Sequence, residues 1–251
     1  MRHPAFVPFF ALLVAAGCGG DVPEGSLGAA AAVQDPALSA SPTATIDKRF
    51  VPELLAAARQ YRKWERVSDH PNVAPERCAS PAPATVRHST SDDDDTHGKK
   101  LYFLFAKDAP TYTALTWFES REPSERDAIV QKLVGQVVVK QTWKAVDVAV
   151  AAVPLVERKQ YGDRVPAEDH MIVGDKAYRT GMPGDLFVML KLDPTTPGTD
   201  QGWVYGTVNY EGNTVTSAGR VASCMECRED APRDRLFGLG RSARRTSTRV
   251  K

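Results

Sequence analysis

Residues 184–193, with the sequence GDLFVMLKLD, are predicted to form a β-strand, because an apolar run that includes Phe and Val is bounded by Gly and Asp. Three more stretches have the same character: KKLYFLFA at 99–106, QVVVKQTW at 136–143 and GWVYGTVNY at 202–210. Between the first two of these, PSERDAIVQKLV at 123–134 favours a helix, with Ser124 available as its cap. Several strands with few helices predict an α+β domain built on an antiparallel sheet.

The domain is expected to begin with an amphipathic helix in FVPELLAAARQYRKWERV at 50–67. Its apolar residues recur at spacings of three to four: Leu54, Leu55, Ala58, Tyr61, Trp64 and Val67. Trp64, Trp143 and Trp203 are expected to fill the core. The acidic stretch STSDDDDTHG at 89–98 lacks the ligand spacing of a calcium loop and favours a solvated loop. Residues 146–162 fit a helix or a strand equally well.

The N-terminus is typical of an exported protein. A basic start and a short apolar run end in AAGC, and this pattern resembles the lipobox of bacterial lipoproteins with Cys18 as the lipidated residue. Four segments follow: a signal peptide at 1–18, a tether rich in Gly, Ala, Ser and Pro at 19–46, the folded domain at 47–239 and a basic tail at 240–251. The expected location is the periplasmic side of an envelope membrane, or outside the cell if Cys18 is not lipidated.

The charge and the cysteine content of the chain limit the classes of partner and of cysteine chemistry to be expected. Lys and Arg number 32 against 31 Asp and Glu, so nothing favours nucleic acid as a partner. Export permits disulfides, and three cysteines remain beyond Cys18, namely Cys78, Cys224 and Cys227. The last two form the motif CMECRED at 224–230. Its spacing alone is compatible with haem attachment, a redox dithiol, half of a metal site or a structural disulfide.

Six short blocks, in order, resemble the cytochrome P-460 family, which includes the β-type cytochromes c-prime. The blocks are QYRKWERVSD, HGKKLYFLFAKDA, VGQVVVKQTWK, GDLFVMLKLD, GWVYG and CMECREDAPRDRLF. The resemblance implies thioether links from Cys224 and Cys227 to a haem, and a lysine at the haem edge, Lys140 or Lys144. It also implies a homodimer and a pocket able to take a small molecule. Lys140 and Lys191 could instead face solvent on the sheet.

The family's proximal histidine is replaced here by Arg228. A guanidinium has no lone pair to offer iron and stays cationic. Other ligands would have to be Met225, His97 or His170. The sequence therefore predicts a protein without cofactor that binds a ligand or has a structural role rather than an enzyme, with Cys224 and Cys227 joined to each other or one of them to Cys78. The alternative is a c-type haem protein with an unusual axial ligand, acting on hydroxylamine or nitric oxide.

Overall fold

The computed structural model describes residues 45–69, 72–73, 79–80, 85–89, 100–159, 162–231 and 233–238. The helices in this part of the chain are α1 (Val51–Gln60), α2 (Ala109–Ala114), α3 (Pro123–Lys132) and α4 (Ala222–Glu229). The strands are β1 (Glu65–Arg66), β2 (Asn72–Val73), β3 (Ala79–Ser80), β4 (Arg87–His88), β5 (Lys100–Ala106), β6 (Val137–Val148), β7 (Leu155–Arg158), β8 (Asp163–Pro166), β9 (His170–Val173), β10 (Lys176–Lys191), β11 (Trp203–Val208) and β12 (Val215–Gly219). Short 3-10 helices cover Lys48–Phe50, Tyr61–Lys63, Val67–Asp69, Leu115–Ser120 and Val150–Ala152.

The main sheet has eight strands, with β1, β5, β6, β10, β11 and β12 side by side in that order. Strand β4 also pairs with β5, and β9 pairs with the first part of β10. All of these pairings are antiparallel. Two small hairpins, β2 with β3 and β7 with β8, lie outside this sheet. The predicted α+β class with an antiparallel sheet is confirmed.

Both faces of the main sheet are covered, because successive side chains of a strand point to opposite faces. On one face, Val139, Val188 and Val204 belong to an apolar cluster that includes Leu54 of α1. On the other face, residues next to these in sequence belong to a second cluster: Val138, Met189, Trp203 and Tyr205, together with Tyr112, Leu115, Ile129 and Leu133 of the α2–α3 region. The sheet therefore separates two cores, and the second is the one that borders the functional site.

The four strands predicted from apolar runs are present as β5, β6, β10 and β11. The first helix is shorter than predicted, because α1 ends at Gln60 and the chain becomes extended at Trp64. This change lets Glu65 and Arg66 pair with the end of β5 as an edge strand. Trp203 is fully buried, whereas Trp64 and Trp143 are partly buried against the first cluster.

One further local prediction is wrong, and one question that the sequence left open is answered. Ser124 is not a helix cap, since α3 begins at Pro123 and the extended residue before it, Glu122, occupies the cap position. Proline suits the first helical position because its missing N–H has no partner there. The stretch at 146–159, the described part of the ambiguous stretch before residue 162, is mainly extended, with the end of β6, one 3-10 turn at Val150–Ala152 and strand β7.

The last two residues of the predicted tether, Thr45 and Ile46, contact strand β12. The carbonyl of Thr45 accepts a hydrogen bond from the backbone N–H of Ala218, and Ile46 forms a bridge with the same residue. The signal peptide with Cys18, most of the tether, the acidic aspartates, Cys78, His97 and the tail at 240–251 lie outside the described residues.

Helix α1 contacts the sheet closely at Gly206 of β11. A Cβ atom at this position would lie 2.5 Å from Cδ1 and 2.6 Å from Cδ2 of Leu54. We expect Gly206→Ala to lower the free energy of unfolding by about 1–3 kcal/mol, because extra volume in a packed core forces side chains from their rotamers. Urea denaturation measures the loss. In an L54A background the same change should cost less, and an equal cost in both backgrounds would contradict this contact.

Candidate functional site

A cavity of about 580 Å³ opens on the second-cluster face of the main sheet. Its floor comes from β5, β6, β10 and β11, with Tyr102, Lys140, Met189 and Tyr205 among the lining residues. Helix α4 and residues 233–238, here called the C-terminal segment, form its wall. Sites for small molecules commonly have volumes of about 300–1,000 Å³. The cavity is therefore large enough for an organic ligand.

Cys224 and Cys227 both border this cavity from α4. Residues three apart lie on the same side of a helix, so the two thiols belong to one face. Both are free cysteines, so the bond between them, one of the two disulfides that the sequence left open, is not formed. Cys224 is half-buried and burial raises the pKa of its thiol, whereas Cys227 is exposed. The pair is thus available for covalent chemistry from the cavity side.

Lys140 reaches the cavity from the centre of β6, between Leu104 of β5 and Phe187 of β10. Its Nζ lies 4.4 Å from the centroid of the Tyr102 ring. Burial, aided by the cations Arg228 and Lys100, lowers the pKa of Lys140 to about 8. Lys144, the other lysine suggested by the resemblance, is exposed and lies outside the cavity lining.

Arg228, at the position of the family histidine, also borders the cavity. Its guanidinium carbon lies 5.2 Å from the centroid of the Phe237 ring, and Nη1 donates to the carbonyl of Arg235 at 3.4 Å. Among the described residues, no carboxylate forms an ion pair with either Arg228 or Lys140. The cavity lining therefore holds two cations and one carboxylate, that of the exposed Glu226, which forms no ion pair with either of them.

Three tyrosines complete the polar lining, and the sequence did not single them out. Burial raises the pKa of Tyr112 to about 12, so this phenol stays neutral. Burial also raises the pKa of Tyr102. Tyr205 donates a 2.8 Å hydrogen bond to Asp200, and burial together with this bond raises its pKa. The apolar runs of β5 and β11 indicated strands there, but not that these rings share a cavity.

The C-terminal segment is fixed to the sheet by buried ion pairs. Nζ of Lys191 lies 2.8 Å from Oδ2 of Asp234 and also donates to the carbonyl of Gln201 at 2.9 Å. Arg235 donates to Asp200 at 3.1 Å. Lys191 is 2% exposed, so the expectation that it faces solvent is wrong, because the C-terminal segment covers its end of β10. These two ion pairs hold one wall of the cavity in place.

A haem at this site would need attachment points and a ligand for its iron. The two free cysteines on one helical face suit the attachment, whereas the guanidinium of Arg228 has no lone pair for the metal. Met225 packs into the second cluster. His170 lies on β9, 2.7 Å from the carboxylate of Asp169, and is not a lining residue. The residues present therefore fit covalent attachment but not iron ligation at position 228.

Neither His88 nor the thiol pair completes a metal site at the cavity with the other described residues. His88 borders the cavity, yet its ring stacks on Tyr178 of the first cluster at a centroid distance of 4.9 Å. Within the described ranges, no group of three or more His, Cys, Asp or Glu side chains is placed to hold a metal ion. The thiol pair therefore has no zinc-binding partners in this part of the chain.

The fold and site together define an α+β domain with an open antiparallel sheet and a cavity beneath a C-terminal helix that carries two cysteines. Comparison with known protein families and with curated proteins finds no match. Among the helices of the described residues, none combines the length and the apolar character needed to cross a membrane.

Proposed function

We propose that this protein is an exported, lipid-anchored domain of cytochrome P-460-like fold whose cavity binds a small molecule without a ligated haem. The observation that carries the proposal is the meeting of Lys140, Cys224, Cys227 and Arg228 at one cavity. These are the residues that the sequence resemblance singled out, and Lys140 on β6 is far in the chain from the other three, which share α4. Their convergence supports the family assignment.

Arg228 favours a cavity without haem. It brings a permanent positive charge to the position where the family has a neutral imidazole, and Lys140 adds a second cation to the same space. Two cations in a partly buried site favour an anionic ligand over a metal ion. The apolar lining from Leu104, Val138 and Met189 provides contacts for the body of such a ligand.

The alternative is a c-type haem protein with an unusual axial ligand, acting on hydroxylamine or nitric oxide. The free state of Cys224 and Cys227 at the cavity favours it, because both thiols are open to thioether formation. Met189 also borders the cavity, and a thioether is a known type of axial haem ligand.

The absorption spectrum of the mature wild-type protein, exported in a host that attaches c-type haem, separates these functions. We expect a colourless protein, because the attachment block lacks its histidine and residue 228 offers iron no ligand. A Soret band that survives denaturation would contradict the proposal. Serine at both Cys224 and Cys227 is the matched control, since it removes any covalent haem without changing the charge of the cavity.

A further inference from the structure

Two lysines, Lys140 partly buried and Lys191 fully buried, lie on the same face of the main sheet and differ in their partners. Lys191 is held by the carboxylate of Asp234 and the carbonyl of Gln201. Lys140 has an aromatic ring at 4.4 Å instead, and no described carboxylate pairs with it. Lys191 is thus used in a structural ion pair, whereas the amine of Lys140 remains available to a molecule in the cavity.

The surroundings of Lys140 shift its amine towards the neutral form without abolishing its charge at neutral pH. Arg228 on α4 and Lys100 on β5 are the cations near it, and Cys227 is the nearby thiol. Tyr102 of β5 is the ring in contact with it, Glu226 of α4 borders the same cavity, and β10 contributes the uncharged Phe187 beside it. A lysine that is desolvated and lies near another cation is activated as a nucleophile, since its amine loses its proton more easily. Burial and these charges lower the pKa of Lys140 to about 8.

We propose that Lys140 forms a Schiff base with a small carbonyl compound that carries a carboxylate, a role that rests on the proposed haem-free cavity. The lone pair of the neutral Nζ amine bonds to the carbonyl carbon, the bond from this carbon to oxygen breaks, and the oxygen leaves as water with the two protons that the nitrogen gives up. A carbon–nitrogen double bond results, and no oxidant or reductant is needed.

The presence of Arg228 at the cavity is the reason to expect a carboxylate on the ligand. Its guanidinium borders the same cavity, lacks an acidic partner among the described residues and suits a planar carboxylate. Leu104, Val138 and Met189 add an apolar surface between the polar groups. An aldehyde or ketone with an apolar or aromatic body and one acidic group therefore matches the lining: its carbonyl suits the amine of Lys140, its acidic group suits Arg228, and its body suits the apolar surface.

Reductive trapping tests the proposal on the full mature protein. The protein is treated with para-carboxybenzaldehyde and cyanoborohydride, which reduces an imine but not a thiol adduct, and the modified lysines are located by peptide mass spectrometry. We expect labelling of Lys140 at neutral pH to be at least about tenfold faster than that of Lys144, because each unit of pKa changes the neutral fraction tenfold. The rate at Lys140 should rise with pH to a midpoint of about 8.

Matched variants and a second aldehyde sharpen the result. K140M should remove the fast labelling reaction and leave the labelling of the other lysines unchanged. K144M should leave the fast labelling of Lys140 in place. Benzaldehyde, which lacks the carboxylate, should react more slowly, and R228Q should abolish that difference. Equal labelling of Lys140 and Lys144 in a colourless protein would overturn the carbonyl site alone. A Soret band in the same preparation would overturn this site together with the proposed function.

Discussion

The R228H variant, exported in a host that attaches c-type haem, is expected to gain one covalently bound haem per chain that the wild-type protein lacks. Cys224 and Cys227 already border the cavity as free thiols on one helical face. The substitution completes the two-cysteine and histidine motif and provides iron with an imidazole nitrogen. It also removes one of the two cations from the cavity. The change is from no bound haem to stoichiometric haem, measured by the Soret absorbance and the intact mass.

R228Q is the matched control for this gain. It removes the same charge without providing an imidazole, so it should remain colourless. Adding C224S and C227S to R228H should abolish the covalent haem. If R228H folds, as judged by its circular dichroism, and still carries no haem, the assignment of this helix to the attachment block of a P-460-like domain is wrong.

The D234N variant is expected to lose about 3 kcal/mol of unfolding free energy near neutral pH. Asn keeps the size of the side chain and tolerates the left-handed backbone at this residue, whose φ is 49°. The substitution leaves the ammonium of Lys191, which is 2% exposed, without its counter-charge. Breaking a buried ion pair from one side costs about 3–5 kcal/mol, because the remaining charge stays desolvated. Urea denaturation measures the loss.

The K191M/D234N double variant separates the ion pair from other roles of Asp234. With both charges removed, we expect most of the lost stability to return, since Met fills a volume similar to that of the lysine stem. Hydrogen exchange in the C-terminal segment should increase in D234N and return towards the wild-type rate in the double variant. Equal instability of the single and double variants would show that Asp234 acts through its backbone conformation instead.

The strands of the main sheet could be predicted because their signal is local. β5, β6, β10 and β11 are runs of β-branched and aromatic residues with clear boundaries, and these patterns depend little on the rest of the chain. The end of α1 could not be predicted, since its apolar spacing continues to Val67. The pairing of Glu65 and Arg66 with β5, a contact across 40 residues of sequence, ends the helical run.

The site was predictable only in part, for the same reason. The resemblance named Lys140, Cys224 and Cys227, and the cavity brings them together. No local pattern distinguishes Lys140 from Lys191, because both follow apolar residues in a strand. The two lysines differ in the groups that the chain places next to them. Arg228 of α4 lies near Lys140, whereas Asp234 of the C-terminal segment forms an ion pair with Lys191. Helix α4, which carries the cysteines, has no fully buried residue. A helix without a buried face has no regular apolar spacing in its sequence, so no amphipathic pattern predicted it.

The intact mass of the mature protein from its native membranes, before and after alkylation of thiols, shows whether the lipid-anchored domain carries haem in its cavity. We predict the mass of a lipidated chain that begins at Cys18, with Cys224 and Cys227 both alkylated in the folded or denatured protein. A mass increased by one haem, together with loss of both alkylation sites, would contradict the proposal of a lipid-anchored domain with a haem-free cavity.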